Sequence, residues 1–160
     1  MAWGKAGTTT STGTVSTIDV SISTSSEFYQ IIFNVGGTIG QNGAVRSGNS
    51  TIDTGSNYAY RSSRNGASDG TAVNNSVGMR VNDNAGSSPN FVVAYMVNIS
   101  GEEKLLIAHT VERMSAGAGT APNRNEAVGK HAFTSNPIDI IQMNQANMAS
   151  DTNLTILGSD

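Results

Sequence analysis

Apolar and polar residues alternate along most of this chain with a period of two, which is the period of a β-strand with two distinct faces. The clearest segment is 91–99, where one face carries Phe91, Val93, Tyr95 and Val97. The pattern predicts strong strands over 14–23, 28–35, 91–99, 104–113, 137–145 and 153–158. Weaker alternation predicts further strands over 57–63, 71–81 and 127–133.

Turn signals separate these strands and set the fold class. The segments "GQNGA" (40–44), "RNGASDG" (64–70) and "NDNAGSSP" (82–89) contain the Asn-Gly, Asp-Gly and Gly/Pro combinations that end strands. No segment carries a sustained helical stripe, and 144–151 is predicted to form a helical turn at most. Eight to ten short strands of this kind predict an all-β, antiparallel, jelly-roll-like β-sandwich over residues 14–160. The Gly- and Thr-rich residues 1–13 are predicted to form an extended N-terminal arm.

Composition and charge exclude several classes of protein. A chain of 160 residues is expected to form one domain. Its net charge is −3 and its nine basic residues are scattered, whereas nucleic-acid binding requires clustered Lys and Arg. The absence of cysteine excludes disulfides and thiolate chemistry. No apolar run approaches the roughly 20 residues of a membrane span, and the start lacks a signal-peptide pattern, so we expect synthesis and assembly in a cytoplasm.

The stretch 98–131 gathers both histidines among several charged residues, but its motifs do not fit known chemistry. The phosphate-binding loop fails because His131 follows Gly129 and Lys130, where Ser or Thr is required. A metal site of His109, His131 and Glu112 is conceivable, although His109 and Glu112 lie three residues apart and so on opposite faces of a strand. His109 shares a face with Leu105, Ile107 and Val111 and is expected to be a satisfied core or edge residue. We therefore expect no metal and no cofactor.

Catalysis is not indicated either. No Gly-x-Ser-x-Gly elbow occurs on a predicted strand-to-helix turn. The carboxylates are expected at turns and strand ends, in contact with solvent: Glu102, Glu103, Glu112, Glu126, Asp139 and Asp151. An enzyme such as a depolymerase would need two carboxylates roughly 5 to 10 Å apart in a groove. We expect a protein that is not an enzyme.

What remains is a hairpin with a long loop and a set of candidate contact residues. Residues 98–104 are predicted to connect two strands, with the turn at Ser100 and Gly101, and 114–127 to form a long flexible loop. Loops of that length are usually functional. The residues predicted to contact a neighbouring subunit are Trp3, Lys5, Arg113, Arg124 and Glu126.

The aromatic residues divide into a predicted core and a possible sugar-binding set. We expect the following rings in the core: Phe28, Tyr29, Phe33, Phe91 and Tyr95. An alternative function as a carbohydrate-binding adhesin would place Tyr58, Tyr60 and Trp3 in loops as stacking residues.

Three segments resemble a set of small, cysteine-free proteins of tailed bacteriophages. They are "MAWGKAG" at 1–7, "YAYRSSRNG" at 58–66 and "FVVAYMVNISGEEKLLIAHTVERMSAGAGTAPNRNEAVGKHAFTS" at 91–135. The resemblance implies a virion component, either a capsid decoration (cement) protein or a β-sandwich of a head fibre or tail. Its expected partners are other virion proteins, above all the major capsid protein, and further copies of itself in a symmetric oligomer, with a trimer favoured. No contact with nucleic acid or membrane is expected.

Overall fold

Two antiparallel β-sheets pack face to face in the structure, a computed structural model that describes residues 2–23, 25–36, 42–82 and 89–160. Thirteen strands and no helix occur among these residues. No helix in this part of the chain could therefore span a membrane. The strands are β1 (Gly4–Thr10), β2 (Val15–Ser21), β3 (Phe28–Val35), β4 (Gly43–Asn49), β5 (Thr51–Ile52), β6 (Tyr58–Arg64), β7 (Gly70–Asn75), β8 (Met79–Asn82), β9 (Asn90–Val97), β10 (Lys104–Glu112), β11 (Asn123–His131), β12 (Ile140–Met148) and β13 (Asn153–Ser159).

The two sheets differ in size. The large sheet has eight strands in the order β1-β13-β3-β9-β10-β11-β6-β7. The small sheet has the order β2-β12-β4-β5, and β8 also pairs with β4. The chain crosses between the sheets at most connections, whereas β9, β10 and β11 form a meander within the large sheet. The prediction of an all-β antiparallel sandwich is confirmed.

The core lies between the sheets and is built from one face of each strand. Fully buried members from the large sheet include Tyr29, Ile31 and Phe33, and those from the small sheet include Val45 and Ile141. The sheets approach closely at β11, where a Cβ atom on Gly129 would lie 2.7 Å from the Cβ of Met79. Glycine is therefore required there by the packing of β8 against β11.

Several segments differ from the sequence prediction. The predicted arm contains β1, which pairs with β13 as an edge strand of the large sheet. Its Gly- and Thr-rich sequence has few apolar side chains, so the strand is held by backbone pairing with β13. The predicted loop 114–127 is shorter, since β11 begins at Asn123 and pairs with both β10 and β6. The segment 144–151 continues β12 as far as Met148 instead of turning into a helix.

Other details agree with the prediction only in part. The hairpin at 98–104 is present, and Gly101 adopts a φ of 84°, a conformation that favours glycine. The weak strand predicted at 71–81 is two strands, β7 in the large sheet and β8 in the small one. Strand β4 had no prediction at all. In the turn predicted at 40–44, residues 40 and 41 lie outside the described residues, whereas Gly43 and Ala44 already belong to β4. Most of the turn predicted at 82–89, residues 83–88, lies outside the described residues as well.

Candidate functional site

The outward face of the central strands of the large sheet is apolar, although it is not covered by the small sheet. We call this surface the outer apolar face. It consists of Phe28 and Ile32 on β3, Phe91, Val93, Tyr95 and Val97 on β9, Leu105, Ile107 and Val111 on β10, and Val128 on β11. Only Gln30, Asn34 and His109 interrupt the outward positions of β3, β9 and β10.

Strand pairing gathers the exposed side chains into one patch. Ile107 stands beside Tyr95 of β9 and Val128 of β11 in the registers of the two strand pairs. Leu105 and Ile107 are 53% and 55% exposed, and Tyr95 is 47% exposed. Single exposed apolar residues are ordinary, but a contiguous patch of them marks a surface that binds something.

A groove of about 780 Å³ runs over part of this face. Trp3 lies on one side of it and packs edge to face against Tyr95, with 6.3 Å between the ring centroids. Val73 of β7, which is 74% exposed, lines it as well. Such a groove offers mainly dispersion contacts and burial of apolar area, rather than a set of hydrogen-bonding groups that would orient a polar substrate.

Two charged pairs lie at the margin of the outer apolar face, where Arg61 and Lys130 line the groove. Lys130 Nζ lies 2.9 Å from Glu103 Oε2, and Arg61 Nη1 lies 2.8 Å from Asp69 Oδ2. All four side chains are more than 40% exposed, so each pair contributes little to stability. An apolar centre with a polar rim is the usual anatomy of a protein–protein interface.

The predicted contact residues occupy the margins of this surface. Trp3 borders the groove and is 43% exposed. Lys5 is exposed and pairs in register with Leu157 of β13. Arg124 and Glu126 are exposed neighbours on β11, with 3.9 Å between their charged atoms, and Arg113 is exposed just after β10. Their role in subunit contact stays a prediction.

The structure does not bring together the three residues that were weighed as a metal site, His109, His131 and Glu112. His109 does share a face with Leu105 and Ile107, but this is the exposed outer face and not the core. His131 and Glu112 point inward at opposite ends of the β10–β11 pair, because Lys104 is the register partner of His131 and Asn123 that of Glu112. Among the described residues, no group of three His, Cys, Asp or Glu side chains could hold a metal ion.

The expectation that Glu112 is solvated is wrong, because its side chain is fully buried. Asn123 Nδ2 and Asn125 Nδ2 donate hydrogen bonds to its two oxygens at 3.2 and 2.9 Å. Arg64 Nη2 lies 3.6 Å away. These neighbours compensate the carboxylate inside the sandwich.

The aromatic assignments are partly wrong. Tyr29 and Phe33 are buried as predicted, whereas Phe91 and Tyr95 are 43% and 47% exposed on the outer face. Phe28 is only partly buried. The inward positions of β9 are filled instead by side chains small enough to fit between the two sheets. These are Val92, Ala94 and Met96.

The two tyrosines proposed for sugar stacking have other surroundings. Tyr58 is 1% exposed and so cannot stack on a sugar. Tyr60 is partly buried, with the guanidinium carbon of Arg80 4.8 Å from its ring centroid. Trp3 is the member of the proposed set that stays exposed.

A buried polar network around Tyr58 and His131 escaped the sequence analysis. His131 Nε2 lies 2.9 Å from Asp53 Oδ2, and its Nδ1 lies 2.9 Å from Ser47 Oγ. The ring stacks on Tyr58 with 4.3 Å between centroids. These residues lie up to 84 positions apart in the chain, so no local pattern could have joined them.

The order Ser–His–Asp resembles a catalytic triad, but its setting differs. Ser47 and His131 are both fully buried, so a substrate has no access to the hydroxyl. Burial lowers the pKa of His131 and raises the pKa of Tyr58 to about 12. Burial also raises the pKa of Asp53, but the hydrogen bonds that it accepts outweigh this effect and hold the pKa below its usual value. The network joins the two sheets, and its serine and histidine are buried while the Asp53 side chain is 19% exposed.

Replacing Tyr58 with phenylalanine is expected to lower the free energy of unfolding by about 1–3 kcal/mol. The Tyr58 hydroxyl accepts the Ser47 backbone N–H at 3.2 Å and lies 2.8 Å from the Asp53 carbonyl oxygen, so its loss leaves buried groups unpaired. Urea denaturation measures the change. Tyr95→Phe is the control, because its hydroxyl accepts a solvent-exposed hydrogen bond from Gln30 Nε2 at 3.2 Å. Equal losses in both variants would contradict the role of Tyr58.

The structure thus defines an all-β sandwich with an exposed apolar sheet face. No family model matches this chain, and no curated protein does. Among solved structures, this chain has a weak similarity to the CBM2 module of Lactobacillus casei BL23 phage J-1 evolved Dit. That alignment covers 100% of this chain and 81% of the other, with 9% sequence identity and a TM-score of 0.17. A TM-score this low establishes no shared fold.

Proposed function

We propose that this protein is a non-enzymatic structural component of a bacteriophage virion, a capsid decoration (cement) protein that binds the particle through its outer apolar face. The observation that carries the proposal is the exposure of that face on the central strands. The resemblance of segments 1–7, 58–66 and 91–135 to small proteins of tailed phages supplies the virion context.

The apolar character of β3 and β9 on both faces, and of β10 on its outward face, supports a covered position in an assembly. Strands that read as apolar on both faces are typical of sheets buried on both sides. The small sheet covers one side only, which leaves Leu105, Ile107 and Tyr95 about half exposed. Burial of these side chains by a partner would stabilise the complex by about 25 cal/mol for each Å² of apolar surface removed from water.

The partners we propose are the major capsid protein and further copies of this chain in a symmetric oligomer, with a trimer favoured. The groove between Trp3 and Val73 would receive an apolar segment of a partner. Because Lys130 and Arg61 already have acidic neighbours, the rim favours a partner without strong net charge. Arg113, Arg124 and Glu126 would make polar contacts at the margin.

The proposal that the protein is not an enzyme is supported by where its chemically active groups lie. Ser47 and His131 are fully buried in the core. The exposed carboxylates Glu103 and Asp69 are engaged with basic neighbours at the rim of the groove. Neither arrangement provides an accessible nucleophile or a free acid–base pair.

Purified virions are expected to contain the protein at a fixed ratio to the major capsid protein. Particles produced without it should bind the added recombinant protein until the same ratio is reached, as measured by co-sedimentation and quantitative gel densitometry. Absence from virions, together with no saturable binding to depleted particles, would overturn the proposal.

A glycan array distinguishes the alternative function as a carbohydrate-binding adhesin. Trp3 and Tyr95 form an exposed aromatic pair at the groove, which is the one feature that favours this alternative. Glycan binding that is lost in Trp3→Ala, without binding to depleted particles, would replace the capsid proposal by the adhesin.

A further inference from the structure

We propose that His131 is an acid-sensitive latch between the two sheets. The latch consists of His131 on β11 of the large sheet, Ser47 on β4 of the small sheet, and Asp53 just after β5. It needs no partner molecule, so it stands independently of the proposed function.

The hydrogen bonds fix one neutral form of the imidazole ring. The Asp53 carboxylate only accepts hydrogen bonds, so the proton on the ring lies at Nε2, 2.9 Å from Asp53 Oδ2. Nδ1 is then the acceptor for the Ser47 hydroxyl, at 2.9 Å. Both ring nitrogens are satisfied in this state, and both Ser47 and His131 are fully buried.

A second proton would break this arrangement. It would sit on Nδ1 and face the Ser47 hydroxyl, whose own hydrogen would lose its acceptor inside the core. The aromatic rings of Tyr58 and Phe133, with centroids 4.3 and 5.4 Å from that of His131, leave the ring little room to turn away. Protonation of His131 is therefore expected to separate β11 from β4.

The charged groups around the ring act in opposite directions. Burial has the largest effect on the pKa of His131 and lowers it, and the charge of Lys104, the register partner on β10, lowers it further. Asp53 opposes both by its hydrogen bond and its charge. Tyr58, from β6, has a pKa raised by burial to about 12 and stays neutral in this range. From β4, Ser47 is hydrogen-bonded to the ring.

The direction of the pH effect follows from this balance. The ordinary pKa of histidine is 6.5 and that of the folded protein's His131 is lower. Below about pH 6.5 the unfolded chain therefore binds a proton that the folded chain excludes. The free energy of unfolding consequently decreases as the pH decreases. The lowered pKa of Asp53 acts only at more acidic pH, below the ordinary value of 3.8. Asp53 therefore does not account for a loss of stability between these two values, whereas His131 does.

Urea denaturation of the whole chain between pH 7.5 and 4.5 tests the latch. In the wild type, the folding equilibrium constant is expected to fall by up to about tenfold per pH unit below pH 6.5, the limit for one proton taken up on unfolding. His131→Gln cannot take up that proton and should show a flatter profile, even if its stability at pH 7.5 is lower. His109→Gln is the matched control, since His109 is exposed on the outer face and its replacement should preserve most of the acid-dependent loss.

Nuclear magnetic resonance of the wild-type imidazole nitrogens supplies a second readout that needs no variant to fold. At pH 6.5, where an ordinary histidine is about half charged, the His131 signals should remain mainly those of the neutral form protonated at Nε2. A charged ring in the folded protein at pH 6.5 or above would overturn the proposal, as would an equal pH profile for wild type and His131→Gln.

Discussion

The double variant Tyr95→Asp/Ile107→Asp is expected to lose at least about 100-fold in affinity for depleted phage particles while remaining folded. Both side chains lie in register at the centre of the outer apolar face. Carboxylates placed there would be buried without partners in the complex, and about 3 kcal/mol of lost binding free energy corresponds to more than 100-fold in Kd. Co-sedimentation with particles over a range of protein concentrations measures the affinity.

The small sheet offers a matched control for this variant. Thr17 and Ser21 are exposed on β2, on the opposite outer surface of the sandwich, and Thr17→Asp/Ser21→Asp adds the same charge there. This control should bind as the wild type does. Circular dichroism should show that both double variants keep the β-sheet signal, because all four positions are exposed in the free protein. Wild-type affinity of the Tyr95→Asp/Ile107→Asp protein would show that the outer face does not bind the particle.

The outer apolar face also shows what periodicity can and cannot predict. Alternation correctly placed strands over β9 and β10, but it defines two faces without saying which one is inside. On β10 the more apolar set, with Leu105 and Ile107, points outward, while Lys104 and Glu112 point inward. Which face is buried depends on the distant strands that pack against it, and these leave no mark on the local pattern.

Long-range pairing explains the missed strands as well. Strand β1 is rich in Gly and Thr, and its order comes from backbone hydrogen bonds to β13, almost 150 residues away. Strand β4 has few apolar residues, yet it lies between β12 and β8 in the small sheet. Strands of this kind form because neighbouring strands present unpaired backbone N–H and C=O groups. Side-chain alternation alone therefore predicts them poorly.

The buried polar groups were missed for a related reason. Lys104 is inside because its ammonium group reaches two carbonyl oxygens of the hairpin, those of Ile99 at 2.5 Å and Glu102 at 2.8 Å. Glu112 is inside because β11 brings two asparagines to it. Ionisable residues are usually exposed, so a prediction from sequence places them in solvent. The hydrogen-bonding partners that offset the cost of burying them come from distant parts of the chain and are seen only in the folded structure.

The largest loss of stability is expected from Glu112→Ala, at about 3–5 kcal/mol, which is the usual cost of removing one member of a buried charged cluster. The change removes one acceptor from each of the Asn123 and Asn125 amides, which also face Met114 Sδ and Asn82 Oδ1. It also removes the carboxylate that lies 3.6 Å from Arg64. A decrease of roughly 10 °C in Tm would correspond to this loss for a chain of this size. Urea denaturation at neutral pH measures the free energy directly.

Glu126→Ala is the appropriate control for Glu112→Ala, because both glutamates lie in the β10–β11 pair and differ mainly in burial. The Glu126 side chain is 51% exposed and lies 3.9 Å from Arg124, so its loss should change stability by less than about 0.5 kcal/mol. If the buried carboxylate and Arg64 stabilise one another, Arg64→Met should cost less in the Glu112→Ala background than in the wild type. Equal effects of the two glutamate variants would mean that Glu112 is tolerated in the core and does not organise it.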